Sequence, residues 1–582
     1  MNKIHSPKQP KHNPQRPLIA VSRSWGRLQP NPTTGRARPP RQGSPIRKLS
    51  SALPLLIAAA LPGTARAGYA SIEIPYQTYR DFAENKGAFR PGALGIPIYD
   101  KSGSLRGTLS DVIPFIDFSS VSDNNAIGTL VAPQYTVGVA HNGPHDSTRL
   151  AGATYSQIRR DVHPDYHRER DWTQEWDFDV TRLGKLVTDA APIATFPVPR
   201  TSTPLLSLGD PDLWTEEEKK KFPLFYRVGM GIQFVGDHPE HGHNPMTGAL
   251  EPGLHELGYA YKWATGGIVT PTWSNETFVI ARGDNGLLPS FVQHGDSGSP
   301  LFAWDAEHRR WVLAGVAADL EIPPGEAGYV YWSHLPADFL DSVFDKDNDP
   351  EVVFTEGNGP LRWAFDSAQG AGHLTQQGRQ FVMHGYKKTP GLAYAGGNGA
   401  LDFAGLDAGK NLSLRSEGGK GVGQITLQDS VNQGAGSLTF HDSYVVSPET
   451  DQTWMGGGID VREGATVVWR VNGVAGDNLH KIGPGTLTIE GKGVNPGGLK
   501  VGDGQVILSQ RPDDDGHVQA FDGITLSSGR AEVVLGDGRQ VDPDHIKWGA
   551  RGGVLNLNGN DITFNRLHAN AKDHGAAITN TA

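Results

Sequence analysis

The stretch Gly295-Asp296-Ser297-Gly298-Ser299-Pro300 places a serine hydroxyl between two glycines in a setting suited to nucleophilic attack on a carbonyl. Gly295 lets the backbone turn so that its own N–H and that of Ser297 converge on one point, a hole for the oxyanion of a tetrahedral intermediate. Gly298 keeps the approach to the hydroxyl clear. A Gly-Asp-Ser turn between two strands would use the same residues with no chemistry at all, so the motif needs partners. A serine hydroxyl is a weak nucleophile at neutral pH; it requires a base to take its proton and a carboxylate to orient that base.

Both partners are found upstream. The run from Gly128 to Asn142 reads as two short β-branched strands around a turn at Pro133, ending in Ala140-His141. A small residue followed by histidine at a strand end puts an imidazole at the mouth of a cleft, and His141 is assigned as the general base. The carboxylate is sought in Trp176-Asp177-Phe178-Asp179-Val180, where an aspartate opens a hydrophobic segment and can be buried against the imidazole. Asp177 fits best. Asp179 would share its face in an extended chain and stands as the alternative.

With the order His141, Asp177, Ser297 in place, the chain resembles the secreted serine proteases of the autotransporter class, the group of the immunoglobulin A proteases and the Hap-type adhesion and penetration proteases. The resemblance rests on Tyr79–Phe89, the His141 segment, Arg182–Pro192, Gly295–Phe302 and, far downstream, Val471–Gly483. It implies an all-β chain, with a chymotrypsin-like double β-barrel followed by a right-handed parallel β-helix stalk. It implies catalytic roles for His141, Asp177 and Ser297, with Gly295 and Ser297 forming the oxyanion hole. It also implies a protein substrate, whose identity the group does not fix, and an outer-membrane translocator as partner during export.

The elements that must position these residues agree with that expectation. From Gly68 to about Asp345 short β-rich segments alternate with Gly, Pro, Asn and Asp, as two six-stranded antiparallel barrels would require. His141 and Asp177 would come from the first barrel and Ser297 from the second. Trp311–Ala317 reads as the strand lining the primary specificity pocket, and Phe291 as a residue near its floor that would favour an apolar side chain. Beyond Asp345 the composition shifts, about half of the 74 glycines falling in the final third. Four alternating segments, Thr486–Ile489, Gln505–Leu508, Ala531–Leu535 and Val554–Leu557, begin 19, 26 and 23 residues apart. That period suits one turn of a parallel β-helix, with an aliphatic ladder inside and glycines at the corners. Domains are therefore expected at 1–67, 68–345 and 346–582.

The first fifty residues hold eleven Lys or Arg and no Asp or Glu, a composition that builds no core. They lead into an apolar run from Ala52 to Leu61 and the small-x-small site Ala65-Arg66-Ala67, so residues 1–67 read as a signal peptide with a long basic leading region. The remainder carries 41 Lys or Arg against 63 Asp or Glu, about −22, which argues against nucleic acid as a partner and suits an exported protein. The chain has no cysteine. That excludes a thiol protease and cysteine-ligated metals, and it fits a chain that crosses an outer membrane unfolded. No alternating membrane-barrel strands occur before Ala582, so the translocator is expected elsewhere or on a longer gene product. The cluster His238-Pro-Glu-His-Gly-His243 reads as a surface loop, and no metal or cofactor is expected. The chain is taken as a monomer, secreted through periplasm and outer membrane to the cell surface or beyond. A non-proteolytic adhesin with a decayed protease domain is the alternative function.

Overall fold

The computed structural model describes residues 69–581, except 124–127, 167–175, 197–204, 207–219, 230–231, 237–253, 260–264, 270–286, 289, 293–294, 322–328, 334, 389–405 and 571–574. The segment 1–67 and the histidine cluster at 238–243 lie outside the described residues. The fold is all-β: a double barrel of antiparallel strands leads into a parallel β-helix.

Among the described residues the first barrel is a five-stranded antiparallel sheet in the order Thr129–Ala132, Tyr135–Gly138, Asp179–Leu183, Ala153–Val162, Ser147–Leu150. The second runs Leu205–Leu206, Tyr329–Ser333, Arg310–Glu321, Pro300–Asp305, Phe225–Gly229, Thr265–Val269, again antiparallel. Beside it the strand Tyr69–Ser71 pairs with Ser290–Phe291 on one edge and Ile232–Gly236 on the other. The backbone of Phe291 thus lies opposite Tyr69. The short helix Tyr76–Ala83 buries Tyr79, Phe82 and Ala83, residues at a helical spacing that share one face. Phe82 packs edge-on against Phe115 and Tyr226, so this aromatic core joins the helix to the second barrel.

A further helix, Ala337–Asp345, ends at a group of charges around the buried Asp347 and Arg182. Asp347 accepts from Arg159 Nη1 at 2.5 Å and from the Tyr135 hydroxyl at 2.8 Å, and pairs with Arg182 at 3.1 Å. Arg182, 1% exposed, also donates to the carbonyl of Gly409 at 3.0 Å. First-barrel strands and the start of the solenoid therefore share one ion-paired seam.

The solenoid has two long sheets. In one, Leu361–Asp366 begins with antiparallel hairpins to Ala371–Gln376 and Arg379–His384, which cap the stack, and then continues in parallel through Gly423–Leu427, Tyr444–Pro448, Thr466–Trp469, Thr486–Ile489, Gly504–Leu508, Ala531–Leu535, Gly553–Asn556 and Ala576–Thr579. The four segments singled out by their spacing are neighbours here. Their registers stack Val467, Leu487, Val506, Val533 and Leu555 in one row and Val446, Trp469, Ile489, Leu508 and Leu535 in another. All ten are buried. Each turn buries its ladder residues against the turns above and below and against the facing sheet, so the turns stabilise one another in sequence. Gly483 shows why corners need glycine: its φ is +80°, and a Cβ there would sit 2.2 Å from Asp460 Oδ1.

The barrel and solenoid touch along a polar contact. Lys185 Nζ donates to Gly456 O at 2.6 Å and to Asp477 Oδ1 at 2.5 Å. The N–H of Leu186 donates to Gly457 O at 2.8 Å, and the Leu186 carbonyl accepts from His480 Nδ1 at 2.7 Å.

Candidate active site

His141 lies in the short helical turn Ala140–Asn142 that closes the strand Tyr135–Gly138. Asp177 lies two residues before the strand Asp179–Leu183 begins, and this strand pairs with Tyr135–Gly138 so that Gly138 is opposite Asp179. The segments leaving both strands at that end therefore lie side by side. Trp176 turns the chain just before Asp177: its φ is +61°, a left-handed conformation that costs a bulky residue on the order of 1–3 kcal/mol. Stacking of its indole on the His163 ring, with centroids 4.4 Å apart and planes 5° from parallel, helps hold that conformation.

Asp177 is wholly buried, whereas the His141 side chain is 24% exposed. The backbone N–H of His141 donates to Asp177 Oδ1 at 2.9 Å, and Asp177 Oδ2 directly contacts His141 Nδ1. Both carboxylate oxygens thus serve one residue. A carboxylate can only accept, so Nδ1 carries the proton in this contact and Nε2 of the neutral ring is the basic nitrogen.

Ser297 sits in the turn between Gly295 and the strand Pro300–Asp305. Gly295 and Gly298 have φ of +94° and +84°, as a tight left-handed turn requires. The turn is pinned to the neighbouring strand Arg310–Glu321, where Gly298 N–H donates to Ala317 O at 2.8 Å and Ala317 N–H returns a bond to Ser299 O at 2.9 Å. Inside the turn Ser299 N–H donates to Asp296 O at 2.7 Å. Among the described residues, none accepts from the N–H groups of Gly295 or Ser297. The two barrels meet here: Asn142 Nδ2 donates to the Ser297 carbonyl at 2.8 Å, so the residue after His141 is one hydrogen bond from the serine.

Asp179 faces elsewhere. It pairs with Arg160, whose Nη2 donates to the carbonyls of Ala140 at 2.6 Å and Val139 at 3.2 Å, just ahead of His141. Burial pushes the Asp179 carboxyl up to about 6 in spite of the guanidinium. A polar cavity of about 30 Å³ opens beside it, lined by His145, Thr148, Gln157 and Arg160 among others.

Three supporting residues carried no sequence signal: Asn142, Arg160 and Ser333. Ser333 Oγ, from the second barrel, donates to the Asp177 carbonyl at 2.8 Å. The metal-ligand types that cluster among the described residues are Asp305, Glu307 and His308, and Asp513, Asp515 and His517. Both groups are turns whose leading carboxylate already accepts from its own backbone N–H groups.

Residues 67–337 match the family model described as immunoglobulin A1 protease. The chain is 41% identical to the serine protease SepA autotransporter of Shigella flexneri over 546 residues, covering 92% of this chain and 36% of that protein. It is 33% identical over 571 residues to an immunoglobulin A1 protease autotransporter of Haemophilus influenzae, covering 90% of this chain and 32% of the relative. The crystal structure of the Haemophilus influenzae Hap adhesin superimposes with a TM-score of 0.70 at 32% identity, covering 88% of this chain and 54% of that one. The chain spans about a third of the length of the curated relatives it matches.

Proposed function

We propose, from the premise that residues 67–337 belong to the immunoglobulin A1 protease family and that the whole chain resembles the autotransporter serine proteases, that this protein is a secreted serine endopeptidase acting on extracellular or host proteins. Its protease domain is residues 68–345 and its β-helical passenger region 346–582, with 1–67 removed as a signal peptide. An outer-membrane translocator serves as its partner in export through the periplasm, and the exported chain is a monomer.

In this reading Ser297 Oγ attacks the scissile carbonyl while His141 Nε2 takes its proton. Asp177 holds the Nδ1–H tautomer and stabilises the imidazolium as it forms. The oxyanion is received by the N–H groups of Gly295 and Ser297. Collapse expels the amine, which takes the proton back from His141, and water activated by the same nitrogen releases the acyl group. The observation that carries the reading is the contact of a buried Asp177 with His141 Nδ1, one hydrogen bond away from the Ser297 turn.

A second reading, an adhesin whose protease domain no longer turns over, is favoured by the likeness to the Hap adhesin. A fluorophosphonate probe separates the two. Stoichiometric labelling of the folded protein, mapped to Ser297, is the outcome expected of the peptidase; a folded protein that stays unlabelled would transfer the assignment to the adhesin.

A further inference from the structure

Asp296 stands between the two residues that present the oxyanion donors, yet its own side chain turns away from the cleft and is 0% exposed. Arg227, from the strand Phe225–Gly229, is also 0% exposed. Its Nη2 donates to Asp296 Oδ2 at 2.7 Å and its Nη1 to Ser290 Oγ at 2.9 Å. Burying a carboxylate so far from water is offset only by a partner that reaches it with good geometry, and the planar guanidinium fork offers that.

The surroundings hold the pair. Arg227 lies on a strand bonded on both sides, opposite Gly267 on one neighbour and Leu301 on the other. The second neighbour, Pro300–Asp305, is the strand into which the Ser297 turn runs. Space for the pair comes from Gly229, where a Cβ would fall 2.1 Å from Asp296 Oδ1 and 2.2 Å from Arg227 Nη2. Ser290 in turn is paired with Ala70, on the strand Tyr69–Ser71.

The torsions of Asp296 set the planes of the peptides on either side of it, and the second of these carries the N–H of Ser297. To rotate that N–H away from the cleft, the chain must drag a buried carboxylate off its cation. We infer that Arg227 is a positioning residue for the peptidase reaction: its ion pair with Asp296 fixes the turn that presents the Gly295 and Ser297 donors. The cation that sets the oxyanion hole is then a side chain from the interior of the second barrel. This rests on the serine peptidase reading given above.

The test compares wild type, Arg227→Gln and Arg227→Lys as full chains, with a fluorophosphonate as probe, because phosphonylation of serine places an oxygen where the oxyanion would go. The maximal labelling rate and the probe concentration at half-maximal rate are determined separately, with circular dichroism to follow folding. Arg227→Gln should label about a hundredfold more slowly at saturation, the loss expected when an oxyanion donor is misplaced, with half-saturation changed less than about threefold. Arg227→Lys, which keeps the charge but loses the fork, should recover part of the rate. A folded Arg227→Gln that labels at the wild-type maximal rate overturns the inference, as does a rate loss carried wholly by half-saturation. If Arg227→Gln does not fold, Arg227→Lys decides: a folded lysine variant with the wild-type maximal rate overturns it, and one slowed at saturation supports it. Wild type that fails to label at Ser297 overturns the peptidase reading and this inference together, whereas labelled wild type beside an equally reactive Arg227→Gln overturns the inference alone.

Discussion

The Ser333 hydroxyl, on a strand of the second barrel, donates to the backbone carbonyl of Asp177 at 2.8 Å, so the carboxylate that contacts His141 is anchored from the barrel that also carries Ser297. Ser333 is 1% exposed, and no water can replace the lost bond without a rearrangement. Ser333→Ala should therefore leave a buried acceptor unpaired, at a cost of about 1–3 kcal/mol. Thermal unfolding should register that loss, and fluorophosphonate labelling should slow by about tenfold as the Asp177 segment relaxes. A variant as stable and reactive as wild type would show that the bond is incidental.

The triad assignment predicts strong non-additivity. Ser297→Ala and His141→Ala should each remove several powers of ten in turnover of a casein substrate, and the double variant little more, because the two act as a unit. Asp177→Asn should also fail, since an amide next to Nδ1 favours the wrong imidazole tautomer. Asp179→Asn should stay close to normal, because Asp179 meets Arg160 and not the imidazole. An active Asp177→Asn beside a dead Asp179→Asn would reverse the two roles.

What the sequence made legible follows from range. The Ser297 turn is a local affair, readable because glycines at positive φ leave few alternatives, and His141 was readable because a strand end precedes it. The solenoid ladder was readable because its registers repeat at a near-constant period. By contrast the bonds from Asn142 to Ser297, from Ser333 to Asp177 and from Arg227 to Asp296 join residues 155, 156 and 69 positions apart. Nothing in the local pattern of a serine or an arginine says which distant group it will meet. Asp177 is the better fit from its place at the opening of the hydrophobic segment, but nothing in that segment says that Asp179 will meet Arg160, 19 residues upstream.

Asp179 gives a pH signature of its own. Burial raises its pKa from 3.8 to about 6, so between those values the folded state holds a proton that the unfolded chain has released. Stability from this group is fully present below about pH 4 and declines as pH rises to 6, by about 3 kcal/mol at 1.36 kcal/mol per unit. Asp179→Asn cannot ionise and should lose that decline. Urea unfolding of both proteins at steps from pH 4 to 7 tests it: parallel curves would show that Arg160 compensates the buried charge in full.

His480 runs the opposite way and reports on a different place, the contact between barrel and solenoid. Burial, reinforced by the nearby charges of Lys185 and Lys500, holds its pKa well below the usual imidazole value, so the ring is neutral in the folded state and donates from Nδ1 to the Leu186 carbonyl. The unfolded chain takes up a proton near pH 6.5 that the folded chain refuses. The sign follows: stability is complete above about 6.5 and falls with acidification, by up to about 1.4 kcal/mol per pH unit until the folded pKa is reached. The loss should appear first as local opening, because a charged ring is driven out of its buried place by desolvation and by the like charges of Lys185 and Lys500, without requiring either core to unfold. The Leu186 N–H, which donates to Gly457 O across the same contact, is the reporter. Its hydrogen exchange, corrected for intrinsic rate, should accelerate between pH 7 and pH 5 while amides in the ladder row around Leu487 keep their protection. His480→Gln retains a donor and has no charge to gain, so it should flatten the response at Leu186. If the Leu186 amide of wild type is equally protected at both pH values, the contact does not open by charging His480.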